Sequence, residues 1–365
     1  MRLHYDAYDL VRDSGFGKRV AGSRKRDAGV TRRISYHPPV TLHVLNGDAT
    51  RLKLERSSVE GTFAVWADAL HEGPVPAGVS DEELMRLRAR YFAGRSGKAE
   101  DQVAAMALGW NAALARYRDF DEVVFWLEHD LFDQLILIRH LHWLSTIDAG
   151  NTRFSLICIG SFPGVADFSG LGALTPEQLA TLPDLRMPVT AAETALGRDA
   201  WSLFRAADPM LLLNWMSGDL SALPFLHGAL VRHFEDYPSR LDGLSRSERQ
   251  ILTALRQGQH TFGEIFVACQ RMEERIFMGD ATCWSIIKDL ARGRNPLVTL
   301  SEPAGDPYSP SLRATLDDLG EVVLDGGADH VELNDIDRWA GGVHLTSAHL
   351  WRWNADAKTL TREGH

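Results

Sequence analysis

Apolar positions along this chain change period several times, and each change marks an element. Between Glu122 and Ile138 the sequence reads EVVFWLEHDLFDQLILI. Val123 to Leu127 are apolar on both alternating faces, the pattern of a strand buried on both sides of a parallel sheet. After Asp130 the apolar positions fall at helical spacing, which puts Glu128, His129 and Asp130 in a strand-to-helix turn at the carboxyl end of that strand. Open α/β sheets bind ligands at this edge.

The same reading extends in both directions. A strand from Val40 to Leu45 stops at Asn46-Gly47-Asp48, and a short helix follows. A second strand, Thr62 to Trp66, ends in Ala67-Asp68 and leads into His71-Glu72-Gly73-Pro74. Ser80 and Glu83 form a capping box that opens a helix to about Gly94, with another helix over 98–118. RFSLICI at 153–159 is the strand after Leu127 and empties into a glycine-rich segment. Strands alternating with helices predict an α/β fold, a Rossmann-like parallel sheet with helices over residues 39–173.

From Leu174 the pattern turns helical. Capping boxes at Thr175/Gln178 and Thr190/Glu193 start helices over 176–182 and 190–206, followed by 208–217 and 223–237, a helical segment over 174–240 that packs on the sheet. YPSRLDG at 237–243 marks a boundary. Residues 241–365 then give helices at 245–257, 261–270 and 280–292, a strand at 297–300, and a terminal hairpin of 350–354 with 359–362. Three helices followed by a small β element describe a winged-helix-like α+β module. Residues 1–38 hold no sustained period and read as a disordered or extension arm. Gly15 and Gly17 follow no apolar strand, so no dinucleotide fingerprint sits there.

Charge changes this picture in one respect. The net charge of −10 conceals nine Lys/Arg against four Asp/Glu in residues 1–35, leaving thirty against forty-five elsewhere. An acidic body disfavours broad attraction to nucleic acid or an anionic membrane, and no run approaches the ~18 apolar residues of a membrane span. Cys158, Cys269 and Cys283 are odd in number and lack metal-ligand spacing, which fits a reducing, cytoplasmic setting. In the 280–292 helix Lys288 and Arg292 are the cations beside Asp280 and Asp289, while Trp284, Ile286 and Ile287 look like core. DNA binding is therefore disfavoured, although Arg271, Arg275 and Arg294 keep it open; homo-oligomerisation also stays open.

If the strands are neighbours, their tips gather Asp48, Asp68, Glu72, Glu128, Asp130 and Asp133 with Asn46, His71 and His129. Two like charges about 4 Å apart repel by roughly 4 kcal/mol at an effective dielectric near 20, so such a crevice needs relief. A divalent cation such as Mg²⁺, an arginine, or a proton held on one carboxyl would supply it. His129 titrates near neutrality and is the candidate general acid or base, with Glu128 and Asp130 as its catalytic partners. Ordinary capping explains Asp130 at the N-cap and Asp133 at N3 equally well. Asn46, Gly47 and Asp48 are candidates for a backbone cradle around phosphate, with Asp68, His71 and Glu72 as further ligand-binding residues; a plain turn is nearly as good a reading of Asn-Gly. Gly160, Gly164, Gly170 and Gly172 form either a lid or an ordinary surface loop. Arg338-Trp339 and Trp351-Arg352-Trp353 read either as arginines stacked on indoles that close over an anionic or aromatic ligand or, the better reading, as anchors of the terminal β structure. No nucleophilic serine elbow, Walker loop, HExxH helix or CxxC pair is present, which removes the easily named enzyme classes.

HVLNGDA at 43–49, VWADALHEGPVP at 65–76, FWLEHDLFDQL at 125–135, FPGV at 162–165, GLSRSERQIL at 243–252, FMGD at 277–280 and DRWAGGVHL at 337–345 together resemble a bacterial family known as domain of unknown function 1835. The resemblance covers roughly residues 40–355 and implies the fold and its boundaries without an activity. The expected function is binding of a phosphorylated or nucleotide-like small molecule at the strand tips, with metal-assisted hydrolysis or group transfer. The alternative is a ligand-sensing transcriptional regulator or nucleic-acid-binding protein that uses the winged helix.

Overall fold

The computed structural model describes residues 40–302 and 306–363; the basic arm read over 1–38 lies outside the described residues. Its first part alternates β1 (Thr41–Leu45), α1 (Asp48–Leu54), β2 (Thr62–Val65), α2 (Asp81–Ser96), α3 (Glu100–Ala115), β3 (Glu122–Glu128), α4 (Leu131–Thr146) and β4 (Arg153–Ile159). Then come α5 (Pro176–Leu179), β5 (Met187–Pro188), α6 (Ala191–Phe204), α7 (Pro209–Trp215) and α8 (Leu226–Phe234). The five strands form one sheet in the order β2-β1-β3-β4-β5, parallel except for the β4/β5 pair.

The β3 sequence explains its central place. Val123, Phe125 and Leu127 join the large core with Leu135 and Leu141 of α4, while Val124 and Trp126 face Leu54, Leu179 and Leu182 on the other side. Every residue of the strand is buried, as two covered faces require. Behind it α4 meets α6 where Gly197 lies against Leu141, so closely that a β-carbon at Gly197 would collide with that leucine. Bulk at 197 would push the two helices apart and loosen the layer that backs the strand.

The remaining chain adds α9 (Arg246–Arg256), α10 (Phe262–Arg271), α11 (Asp280–Arg292), the antiparallel pair β6 (Val298–Leu300) and β7 (Ala314–Leu316), α12 (Asp318–Leu324) and α13 (His330–Asn334). Two further antiparallel pairs close it: β8 (Asp337–Ala340) with β9 (Val343–Thr346), and β10 (Leu350–Asn354) with β11 (Thr359–Glu363). The main apolar cluster runs without a break from Leu42 through Ile251 and Ile287 to Leu360, so the three segments read from sequence share one core. Among the described residues no helix is long and apolar enough to cross a membrane.

Helix and strand positions follow the sequence pattern closely for the long elements. Several short elements lack a sequence signal of their own, although the capping box of Thr175 and Gln178 marks the four-residue α5. β5 has two residues, α12 and α13 have seven and five, and the β8/β9 pair is short, each giving too few positions to establish a period. In α13 the Asp329 side chain accepts from the Val331 and Glu332 N–H groups, a cap that substitutes for length.

Candidate functional site

Along the sheet, chain order reverses between β1 and β3: β2 lies to one side of β1, and β3 and β4 lie to the other. Ligands of open α/β sheets bind outside the strand ends at such a reversal. Here Asn46 leaves β1 as Glu128 ends β3. The Asn46 Nδ2 donates to Glu128 Oε1 (2.8 Å) and to Asp133 Oδ2 (3.1 Å), and Thr50 Oγ1 donates to Asn46 Oδ1 (3.2 Å), fixing which way the amide points. Glu128, Asp130 and Asp133 each contribute a carboxylate oxygen to a trio within 4.8 Å of one another. They are 7%, 3% and 2% exposed.

Three carboxyl groups taken out of water repel, and their titration reflects it. Burial, reinforced by the Asp130 charge, pushes Glu128 up to about 8. Burial likewise raises Asp130 to about 6, against backbone N–H groups that favour its ionised form. Asp133 is held well above its ordinary value by burial and by the charges of Asp130 and Glu128. Asp130 does cap α4, accepting from the Asp133 N–H at 3.1 Å, yet capping does not account for the trio. The Asp133 Oδ1 is buried with no hydrogen-bond partner among the described residues.

The segment after β4 closes over this edge. Leu171 N–H donates to Glu128 Oε1 at 2.6 Å, and Gly170, at φ +118°, lies so near Glu128 that a β-carbon there would collide with the carboxylate. Beneath, Gln134 Nε2 donates to the Glu128 carbonyl at 2.6 Å and Cys158 Sγ lies 3.4 Å from the same oxygen. The end of the glycine-rich segment, Gly170 and Leu171, therefore covers Glu128, while Ser161, Pro163, Gly164, Ala166, Asp167 and Ser169 stay exposed as an ordinary surface loop does.

His129 stands half-buried at the rim, flanked by the Phe168 and Phe225 rings at 6.1 and 5.9 Å. Burial and the charge of Arg275 lower its pKa, so the imidazole is neutral near pH 7 and able to accept a proton. Its Nδ1 is buried without a partner. Arg275, from the segment between α10 and α11, donates to the His129 and Phe225 carbonyls at 3.2 and 3.1 Å.

Other sequence candidates are not brought to the trio. Asp68 is committed to Arg88, with both oxygens 2.6 Å from the guanidinium and both side chains buried. This corrects the expectation that all the strand tips converge: β2 ends in a structural ion pair. Glu72 accepts from Thr282 Oγ1 at 2.7 Å, which ties the β2 tip to α11. His71 packs edge-on against Phe132 and Phe277 at 6.0 and 5.1 Å, and burial drives its pKa down to about 3. Asp48 pairs with Arg51 at 2.7 Å. Gly47 sits at φ 179°, ordinary extended backbone, before a helix of seven residues, so the phosphate cradle expected at 46–48 loses its structural basis. Asn46 serves the carboxylates in its place. Sequence reasoning missed Leu171, Gln134, Phe225 and the role of Arg275, none of which carries a local signal.

Two clefts lie elsewhere. One of about 430 Å³ is bordered by Arg205, Trp339 and His344. Another of about 370 Å³ lies by the amino ends of the strands and is lined by His43, Glu122 and Arg186. In the second the polar groups are already engaged: Trp126 Nε1 donates to His43 Nδ1, His43 Nε2 lies 3.2 Å from the Glu60 carbonyl, and Glu122 accepts from Ser155 and Arg186. Unmet hydrogen-bonding capacity favours the carboxylate trio. No family model matches the chain, and no curated protein matches it either.

Proposed function

We propose that residues 39–173 form a Rossmann-like ligand-binding unit whose Glu128, Asp130 and Asp133 hold a divalent cation, with Mg²⁺ the best match. Through it they bind a phosphorylated or nucleotide-like small molecule. The observation that carries this reading is the Asp133 Oδ1, buried beside two more carboxyl groups and left without a hydrogen bond. A hard cation replaces the shared protons and satisfies that oxygen, and carboxylates with phosphate are its usual ligands. The cation would neutralise charge on a phosphoryl group. Neutral His129 then takes the proton of an attacking water or alcohol as its oxygen bonds to phosphorus and the leaving oxygen departs, a hydrolysis or group transfer.

Residues 241–365 fit this reading as a winged-helix-like packing module. The third helix, α11, which would enter a DNA groove, is turned to the α/β unit: Asp289 pairs with Arg95 at 2.7 Å and Thr282 bonds Glu72. A regulator that used α11 would have to break both contacts.

Calorimetric titration with Mg²⁺ and Mn²⁺ tests the cation. Wild type should bind one of them, and Asp133→Asn should not. A wild-type chain that takes up neither ion at about pH 8, where Glu128 is about half ionised, would refute the reading.

A further inference from the structure

Arg275, half-buried, differs from three other arginines of the core and its margin. Arg88 is paired with Asp68, Arg232 with Glu273 at 2.7 Å, and Arg246 with Glu235 at 2.7 Å. Arg275 makes no ion pair among the described residues, although its Nη1 reaches the carbonyl of His129, which lies between Glu128 and Asp130 in the chain. Its Nη1 is spent on the carbonyls of His129 and Phe225, and its guanidinium carbon sits 5.8 Å from the centre of the Phe225 ring. Nε and Nη2, the parallel side-on edge of the fork, make no hydrogen bond among the described residues.

The slot that holds it is built for it. A β-carbon on Gly228 of α8 would stand 2.8 Å from Nη1, so a larger residue at 228 would shift the guanidinium from this position. An arginine fixed by one nitrogen to the His129 carbonyl, next in the chain to Glu128 and Asp130, keeps a side-on pair of donors that matches two oxygens of one phosphate group. The carboxylates would hold a metal, and the guanidinium would supply the positive charge for an anion bound beside it.

Resting on the cation reading above, we infer that Arg275 is the anion-binding residue of this site, gripping a terminal phosphate of a phosphoanhydride ligand complexed with Mg²⁺. The segment 272–279 is then part of the ligand site, and the C-terminal module supplies one of its walls.

Titration with Mg²⁺ alone and then with inorganic pyrophosphate at saturating Mg²⁺ tests this. Wild type should bind both. Arg275→Met should keep its Mg²⁺ affinity and lose about tenfold or more in pyrophosphate affinity, the usual loss when a charged hydrogen-bond partner is removed. Arg275→Lys should fall between, since an ammonium keeps the charge without the fork. Gly228→Ala, which disturbs the slot without touching the charge, should weaken pyrophosphate in the same direction and guards against misfolding of the arginine variants. Wild-type pyrophosphate affinity in a folded Arg275→Met chain overturns the inference. Mg²⁺ binding by wild type without pyrophosphate binding overturns it too while leaving the cation reading intact, whereas absence of Mg²⁺ binding removes both.

Discussion

The Asn46 carboxamide donates to the Glu128 carboxyl group over 2.8 Å, across the place where the order of the strands reverses. One amide thus serves two buried acids, since its Nδ2 also reaches Asp133. Asn46→Ala should destabilise the fold by about 1–3 kcal/mol, because it strands the Asp133 Oδ2 and leaves the Glu128 Oε1 with the Leu171 N–H alone. Asn46→Asp should cost more at neutral pH, since it adds a fourth carboxyl to the trio. Urea unfolding at pH 7 measures both, and an Ala variant as stable as wild type would mean that the amide does not support these acids.

Stability should fall as pH rises through the site. Glu128 and Asp130 titrate near 8 and 6 in the fold, above ordinary values of 4.5 and 3.8, so the folded chain prefers their protonated forms. The stability this gives is complete below the ordinary values, and it is lost as pH climbs through about 6 and then about 8, with roughly 1.4 kcal/mol at stake for each tenfold gain in proton affinity on folding. Melting temperature should decline between about pH 5 and 9, and Mg²⁺, which needs ionised carboxylates, should raise it more at the alkaline end. A flat profile without metal, or a Mg²⁺ effect larger in acid, contradicts the assignment.

Glu128→Gln separates stability from function. The amide keeps the size and can still accept from Asn46 and Leu171 while removing a charge, so the variant should be more stable than wild type above about pH 8. Its cation binding should be lost. Thermal melts with and without Mg²⁺ show both effects, and retained Mg²⁺ stabilisation would place the metal elsewhere.

Asp68 and Arg88 form a buried bidentate pair, so removing one partner leaves an uncompensated charge. Asp68→Ala should cost about 3–5 kcal/mol, and the Asp68→Leu, Arg88→Met double variant should recover only part of that loss, because Arg88 also donates to the Ala69, Glu72 and Pro74 carbonyls. Mg²⁺ affinity in the double variant should match wild type, because neither residue belongs to the trio. A double variant that folds and loses Mg²⁺ would return Asp68 to the site.

The sequence made the site's central strand legible because VVFWL has no polar face, and only a strand covered on both sides tolerates that. The turn after it followed from the change of period at Asp130. What stayed hidden depends on long-range pairing. Asp68 looked like another tip carboxylate, because nothing near it in sequence announces Arg88, twenty residues on. Asn46 looked like half of a turn; its two acceptors lie more than eighty residues away. In sequence Arg275 is one more cation near α11, and only the fold brings it to the His129 carbonyl.

His71 offers the sharpest contrast between sequence and fold. As a histidine just beyond a strand tip it is a natural ligand candidate, yet both ring nitrogens are buried without hydrogen bonds and its neighbours are Phe132 and Phe277. Burial lowers its pKa to about 3, so the fold favours the neutral ring. Its contribution is intact above the ordinary value of 6.5 and is lost as pH falls below that toward 3, because the unfolded chain takes up a proton that the folded chain refuses. His71→Phe keeps the ring packing and removes two unsatisfied polar atoms, so it should stabilise by about 1 kcal/mol near pH 7 and by more near pH 4. Guanidinium unfolding at the two pH values reads the difference. A Phe variant that is less stable at pH 7, or that loses Mg²⁺ and pyrophosphate binding, would show that His71 has a polar role in the ligand site after all.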